Sequence, residues 1–439
     1  MNKMNKPAIL GGNAVRRQAF PERTTMGEAE KKAVRDVMDS NVLSDFIGAP
    51  GDCFMGGKKV RAFERAWADE YRFNHAISVN SWTSGLVTAI GAIGIEPGDE
   101  VICSPFTMSA SATCALFYGG IPVFADIDPN TFCLDPVSIE QRITARTRAI
   151  VVVHLFGHPA DMDAIMALGK RYKLRVIEDA AQAPGVFYKG RAVGAIGDIG
   201  GFSLNYHKHI HTGEGGMLVT QDDELALRCQ LIRNHGENAL EHYDFLEPVN
   251  IIGANYRLTE LQAAIGIEQL KRLEEYLQIR QKLAAHFTER LERMPGITVQ
   301  KTVPDCTHAY YVYPFRFDAE QAGLSRDLFV KAVNAELQPA TGFETTPLIG
   351  GYVRPLYLNP IYQQRRAIGR GGWPFSLVQP DRLDYAQGLC PVVERMHDRE
   401  LVLCPLVREP LTTADIDDLA DAIEKVLMNA PSIRQHFSE

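Results

Sequence analysis

Charged amphipathic stretches and short apolar runs alternate along the first half of the chain. Glu28 to Met38 and Val60 to Tyr71 space apolar residues between charges as a helix face requires. Between and after them come Ala76 to Val79, Glu100 to Cys103, Pro122 to Ala125, Ala149 to His154, Arg175 to Ile177, Ile199 to Leu204 and Gly216 to Thr220. Several of these runs are apolar enough to be buried on both faces, as parallel strands are. The alternation predicts an α/β domain built on one large, mostly parallel, seven-stranded sheet.

Beyond Asn255-Tyr256-Arg257 the spacing changes to one long helix, Thr259 to about Met294, which carries the chain toward a second domain. A strand at Tyr310 to Phe317 and a helix at Ser325 to Glu336 follow, then a final helix from Thr412 to about Met428 whose Thr-x-x-Asp start resembles a capping box. Gly342 to Asp384, rich in Gly, Pro, Tyr and Arg, reads as a set of loops, and loops of that length are usually functional or disordered. The expected organisation is an N-terminal arm over 1–30, a large domain over 31–265 and a smaller C-terminal α/β domain over 266–439.

Composition narrows the function. A net charge of -8 with no basic stretch argues against nucleic acid as a partner, because neutralising phosphates needs clustered Lys and Arg. No apolar run approaches the roughly 20 residues that span a bilayer, and the first residues carry no apolar leader. Eight scattered cysteines without a CxxC pair read as reduced thiols and offer no zinc framework. A cytoplasmic protein without membrane partner or metal is expected.

Three places could carry chemistry. Glu178-Asp179-Ala180-Ala181-Gln182 ends a strand candidate, and ligands of open α/β sheets lie at the carboxyl ends of strands. An acid at Asp179 suits pyridoxal phosphate (PLP), whose ring must stay protonated at nitrogen to act as an electron sink; capping a following helix is the competing reading. Lys208 stands among His207, His209 and His211 ahead of Gly213-Glu214-Gly215-Gly216, and a desolvated lysine can form a Schiff base, although most lysines are solvated surface charges. The alternating histidines could suggest a metal, but no second ligand pair completes a set. Asn80-Ser81-Trp82-Thr83-Ser84-Gly85 gathers hydroxyls and backbone N–H groups at a helix start, either an anion site or a plain N-cap.

Together the motifs resemble the DegT/DnrJ/EryC1/StrS family of PLP-dependent sugar aminotransferases. They are Gly56 to Glu64, Ser81 to Ser84, Val153 to Met162, Glu178 to Gln182, Ser203 to Gly216, Arg233 to Gly236 and Gly253 to Arg257, in that order. The resemblance implies a PLP-transferase fold of type I, with Lys208 as the Schiff-base lysine, Asp179 on the pyridine nitrogen and Gln182 beside the ring hydroxyl. It places Thr83, Ser84 and Ser203 on the phosphate and Met108 over the ring, where relatives usually stack an aromatic. It also implies a homodimer with shared sites, Asn255 reaching the neighbouring subunit's phosphate, and substrate contacts from Tyr206, His209 and Arg257. In the phosphate turn Trp82 stands where relatives usually carry Gly or Asn.

The implied reaction is a two-step transfer of an amino group from glutamate or glutamine to a keto sugar, free or nucleotide-linked, or a keto cyclitol. Ala8 to Arg16 resembles the start of members acting on inososes. The alternatives are a PLP-dependent sugar dehydratase of the same fold, which has histidine in place of the lysine, and a non-catalytic PLP-binding regulator. A NAD-dependent oxidoreductase lacks its phosphate fingerprint here.

Overall fold

A computed structural model describes residues 6–243, 246–339, 346–379 and 382–438. All seven predicted strands form one sheet. In chain order the strands are β1 (His75–Val79), β2 (Glu100–Cys103), β3 (Ile121–Phe124), β4 (Thr147–Val153), β5 (Arg175–Asp179), the small hairpin β6 (Phe187–Tyr188) and β7 (Arg191–Ala192), β8 (Ile199–Ser203) and β9 (Gly216–Thr220). The large sheet runs β1-β9-β8-β5-β4-β2-β3, with β9 antiparallel to both neighbours and every other pairing parallel. β2, β5, β8 and β9 are almost wholly buried, as strands covered on both faces are. The parallel order brings Asn80 after β1, Asp179 at the end of β5 and Ser203 at the end of β8 to one edge of the sheet.

A second sheet, all antiparallel, runs β10 (Ile297–Val299), β11 (Tyr313–Phe317), β13 (Leu401–Cys404), β12 (Ile349–Gly350). Its core takes Phe315, Phe317, Phe329, Leu419 and Ile423, together with Phe20 from the N-terminal arm. The helix Thr413–Met428 over this sheet begins with the capping box expected at Thr412 and Asp415.

The long helix expected from Thr259 to Met294 is two helices, Glu260–Leu270 and Leu273–Leu291. No Pro or Gly marks the break. The join is fixed from outside: Gln269 donates to the Thr25 carbonyl (3.0 Å) and to Glu30 (2.7 Å), and Arg272 donates to the Thr25 carbonyl (2.7 Å). The second helix starts in the large core with Leu273, Tyr276 and Leu277 and ends in the small one with Leu283, Phe287 and Leu291.

Of the segment Gly342 to Asp384, residues 342–345 and 380–381 lie outside the described residues. The rest is more ordered than a set of loops. Tyr357, Tyr362 and Tyr385 surround Phe124 at ring-centroid distances of 5.8, 5.1 and 5.9 Å, and the Tyr385 hydroxyl donates to the Pro122 carbonyl (2.8 Å). Residues 356–379 and 382–396 thus pack on the large core and cover edge strand β3, a protection that exposed sheet edges need. These tyrosines are buried.

Candidate active site

Lys208 sits in the turn between β8 and β9. Backbone bonds from Leu204 to the Gly215 carbonyl (2.9 Å) and from Thr212 to the Leu204 carbonyl (3.0 Å) close this loop, and Asn205 donates to Glu214 across it (2.9 Å). Gly215 has φ +159°, and a Cβ there would stand 2.6 Å from the Thr212 hydroxyl, so the cluster of glycines does let the backbone pass closely. Lys208 is 8% exposed and, among the described residues, makes no salt bridge. Its amine lies 4.3 Å from the centroid of the Tyr311 ring. Burial pushes the ammonium down to about 8, against a smaller upward pull from Asp179.

The Asp179 carboxylate, 4% exposed, is held by neutral donors. Ser111 donates to Oδ2 (2.6 Å), and the Trp82 indole (2.7 Å) and the Ala181 amide (3.2 Å) donate to Oδ1. Its neighbour Glu178 faces the opposite way, as alternation in a strand demands. There it accepts from buried Gly194 (2.8 Å) and His154 (2.9 Å) and from half-buried Gly197 (2.7 Å). Gln182 accepts from the Phe156 amide (2.6 Å) and donates to the Tyr352 hydroxyl (3.2 Å).

At the first turn, Ser81 caps the helix Trp82–Ala92 by accepting from the Ser84 amide (3.1 Å), while the Ser84 hydroxyl donates to Asn80 (2.6 Å). Both readings of the motif are therefore compatible: the cap exists, and exposed Thr83 and half-buried Ser84 stand at a helix N-terminus. Ser203 is buried, its hydroxyl accepting from Asn205 (3.3 Å). The turn is braced by the Asn80 amide donating to the Tyr256 carbonyl (2.8 Å), and the Asn255 side chain is exposed in the single chain.

The other expected residues separate. Tyr206 is 40% and Met108 62% exposed. Arg257 donates to Asn234 (2.8 Å), which ties it to that loop. His209 is fully buried, and its Nε2 donates to the Ala309 carbonyl (2.9 Å), which braces the lysine loop. Sequence reasoning gave no role to Ser111, Tyr311 or Tyr352, nor to the contact of Trp82 with Asp179. His154 and Gly194, near in space to Glu178, give that acid the structural role that its neighbour lacks.

A nucleophilic amine kept close to neutral, a fixed carboxylate and a hydroxyl-rich helix start at one sheet edge fit an aldehyde cofactor with a pyridine ring and a phosphate. The model of the DegT/DnrJ/EryC1/StrS aminotransferase family matches residues 25–376. The chain belongs to this family. Its members are PLP-dependent aminotransferases, and so is this enzyme. It is 36% identical over 400 residues to GDP-perosamine synthase of Caulobacter vibrioides, covering 91% of this chain and 95% of that one. It is 34% identical over 444 residues to L-glutamine:scyllo-inosose aminotransferase of Streptomyces griseus, covering 97% and 98%. The crystal structure of the aminotransferase from Psychrobacter cryohalolentis matches with a TM-score of 0.77 at 30% identity, over 94% of this chain and 100% of that one.

Proposed function

We propose that the enzyme takes an amino group from glutamate or glutamine and delivers it to a keto sugar or keto cyclitol, acting as a cytoplasmic homodimer with shared sites. The observation that carries this reading is Lys208: a buried lysine without a salt bridge, pushed down to about 8, at the same sheet edge as Asp179. The relatives support the substrate class, one being named for a GDP-linked product and one for L-glutamine and an inosose.

When bound, PLP supplies the electron sink that makes the substrate's α-proton removable. When PLP is bound, Lys208 would hold it through its amine and would be the group that moves the proton at the substrate carbon. The Tyr311 ring beneath the amine keeps it out of water. Asp179 would hold a proton at the ring nitrogen. Thr83, Ser84 and Ser203, with Asn255 of the partner subunit, would hold the phosphate. Met108 and Gln182 would hold the ring, and Tyr206 and Arg257 would contact the acceptor. The cysteines are all free, which suits the cytoplasm.

The test is the absorbance spectrum of purified protein with PLP, before and after borohydride, beside Lys208→Ala. A reducible band at roughly 410 to 430 nm that moves toward about 330 nm on adding glutamine or glutamate is expected, and only in the wild type. Glutamine-loaded enzyme is then offered nucleotide-linked keto sugars and keto cyclitols, and return of the first band identifies the acceptor class. A wild type without the band, or Lys208→Ala that retains a reducible one, would overturn the lysine assignment.

A further inference from the structure

We propose that Trp82 is a positioning residue for the transamination: its indole N–H fixes the Asp179 carboxylate in the orientation that meets the cofactor's ring nitrogen. The inference rests on the reading of Asp179 as the partner of that nitrogen.

A buried carboxylate used in this way must not rotate, and each oxygen of Asp179 has a donor. Ser111 holds one (2.6 Å) and Trp82 the other (2.7 Å), assisted by the Ala181 amide (3.2 Å). The backbone of Trp82 opens the helix at the Ser81 cap, while its indole ends at Asp179, 97 positions further along the chain. One residue therefore joins the turn assigned to the phosphate to the acid assigned to the ring nitrogen.

The seat of the indole is built. Gly85 lies inside the same helix, where glycine is disfavoured relative to alanine. A Cβ at Gly85 would stand 2.5 Å from Cε3 and 2.7 Å from Cζ3 of Trp82. A Cβ at Gly201 in β8 would also fall on the Trp82 ring. The polar end of the ring is engaged as well. Trp67, fully buried, leaves its indole nitrogen without a partner, as a tryptophan retained for packing can. Trp82, 5% exposed, gives its N–H to the acid of the site.

The test compares holoenzyme carrying Trp82→Phe, Asp179→Asn or both. Trp82→Phe keeps an aromatic ring in the seat and removes the indole N–H together with the rest of the five-membered ring. Two quantities are read: the rate at which pyridoxamine phosphate leaves the protein, and the pH midpoint of the cofactor's visible absorbance change. Losing one hydrogen bond to a charged group should speed release about tenfold and move the midpoint by about one unit. With Asp179→Asn already present, Trp82→Phe should add less than about a threefold change, because the carboxylate charge that the indole orients is already gone. If Trp82→Phe matches the wild type in both readouts while Asp179→Asn does not, Trp82 is packing alone and the inference falls, with the role of Asp179 intact. If Asp179→Asn also leaves both unchanged, the reading of Asp179 falls and takes the inference with it. A second measurement needs no change at Trp82. The three tryptophans give three indole N–H resonances in ¹⁵N-labelled holoenzyme, and one of them must move on Asp179→Asn; three unmoved resonances would overturn the contact.

Discussion

Arg23, in the N-terminal arm, donates to the backbone carbonyl of Lys208 at 2.9 Å and to that of His209 at 2.6 Å, so the arm holds the main chain of the lysine loop from outside the large sheet. The same guanidinium pairs with Glu409 (2.7 Å), which also pairs with Arg280 (3.1 Å), and Arg280 donates to the Tyr310 carbonyl (2.9 Å) beside the ring under the lysine. Glu409 is the shared counter-charge. Burial raises its carboxyl, but Arg280 and Arg23 outweigh that and hold it lowered, while Arg408 is pushed down to about 10 by burial and by the same two guanidiniums. Glu409→Gln should therefore cost about 3 to 5 kcal/mol, since it strands buried cations. Arg23→Ala should cost less, because Glu409 keeps Arg280. Urea unfolding of the two variants checks the order, and PLP content after gel filtration should fall in both.

Lys208 makes a pH prediction. The nucleophile is the neutral amine, and its pKa is about 8 where an ordinary lysine has 10.5. Capture of PLP by the cofactor-free protein should rise about tenfold per pH unit and level off near pH 8, rather than climbing past 10. The linked stability has a defined sign. Between about 8 and 10.5 the folded lysine has lost a proton that the unfolded chain still binds, so stability of the cofactor-free protein gains from this group as pH rises through that window. Lys208→Met should flatten the gain. A capture rate still rising steeply at pH 9.5 in stopped-flow absorbance would contradict the buried, lowered amine.

How much could be read in advance depended on the range of the physics involved. The seven strands were legible because burial on both faces writes itself into consecutive residues, as in Ile150 to Val153. The acid at the end of β5 and the lysine before the glycines were legible as local motifs. The break after Leu270 was not, because the side chains that impose it, Gln269 and Arg272, are ordinary helix residues until Thr25 and Glu30 arrive from the arm. The order of the segment around Tyr362 was not legible, because the partner that buries its ring, Phe124, is far away in sequence. Trp82 was visible only as a departure in the phosphate turn; its meaning lies with Asp179.

Glu178 and Asp179 are adjacent acids that should fail in different ways. Glu178→Ala leaves the buried donors Gly194 and His154 and the half-buried Gly197 amide without this acceptor, a loss of roughly 3 to 5 kcal/mol from such a network. Asp179→Asn keeps an oxygen for one of its donors and should unfold within about 1 kcal/mol of the wild type. Its defect should instead be in cofactor retention and turnover. Urea midpoints set beside PLP occupancy separate the two, and an Asp179→Asn protein that unfolds as early as Glu178→Ala would mean that both acids are structural.

Gly85 offers a test of packing whose sign reverses. In the wild type Gly85→Ala drives a methyl group into the Trp82 ring, while the next neighbour, Val79 Cγ2, is at 3.4 Å and tolerates it. The substitution should then cost about 1 to 3 kcal/mol by overpacking, despite the better helix propensity of alanine. In a Trp82→Ala background the obstacle is gone, and the same Gly85→Ala change should stabilise by roughly 1 kcal/mol, the propensity difference alone. The double-mutant cycle in urea measures that reversal. Destabilisation of equal size in both backgrounds would show that something other than the indole keeps position 85 a glycine, and that the helix start is not shaped around Trp82.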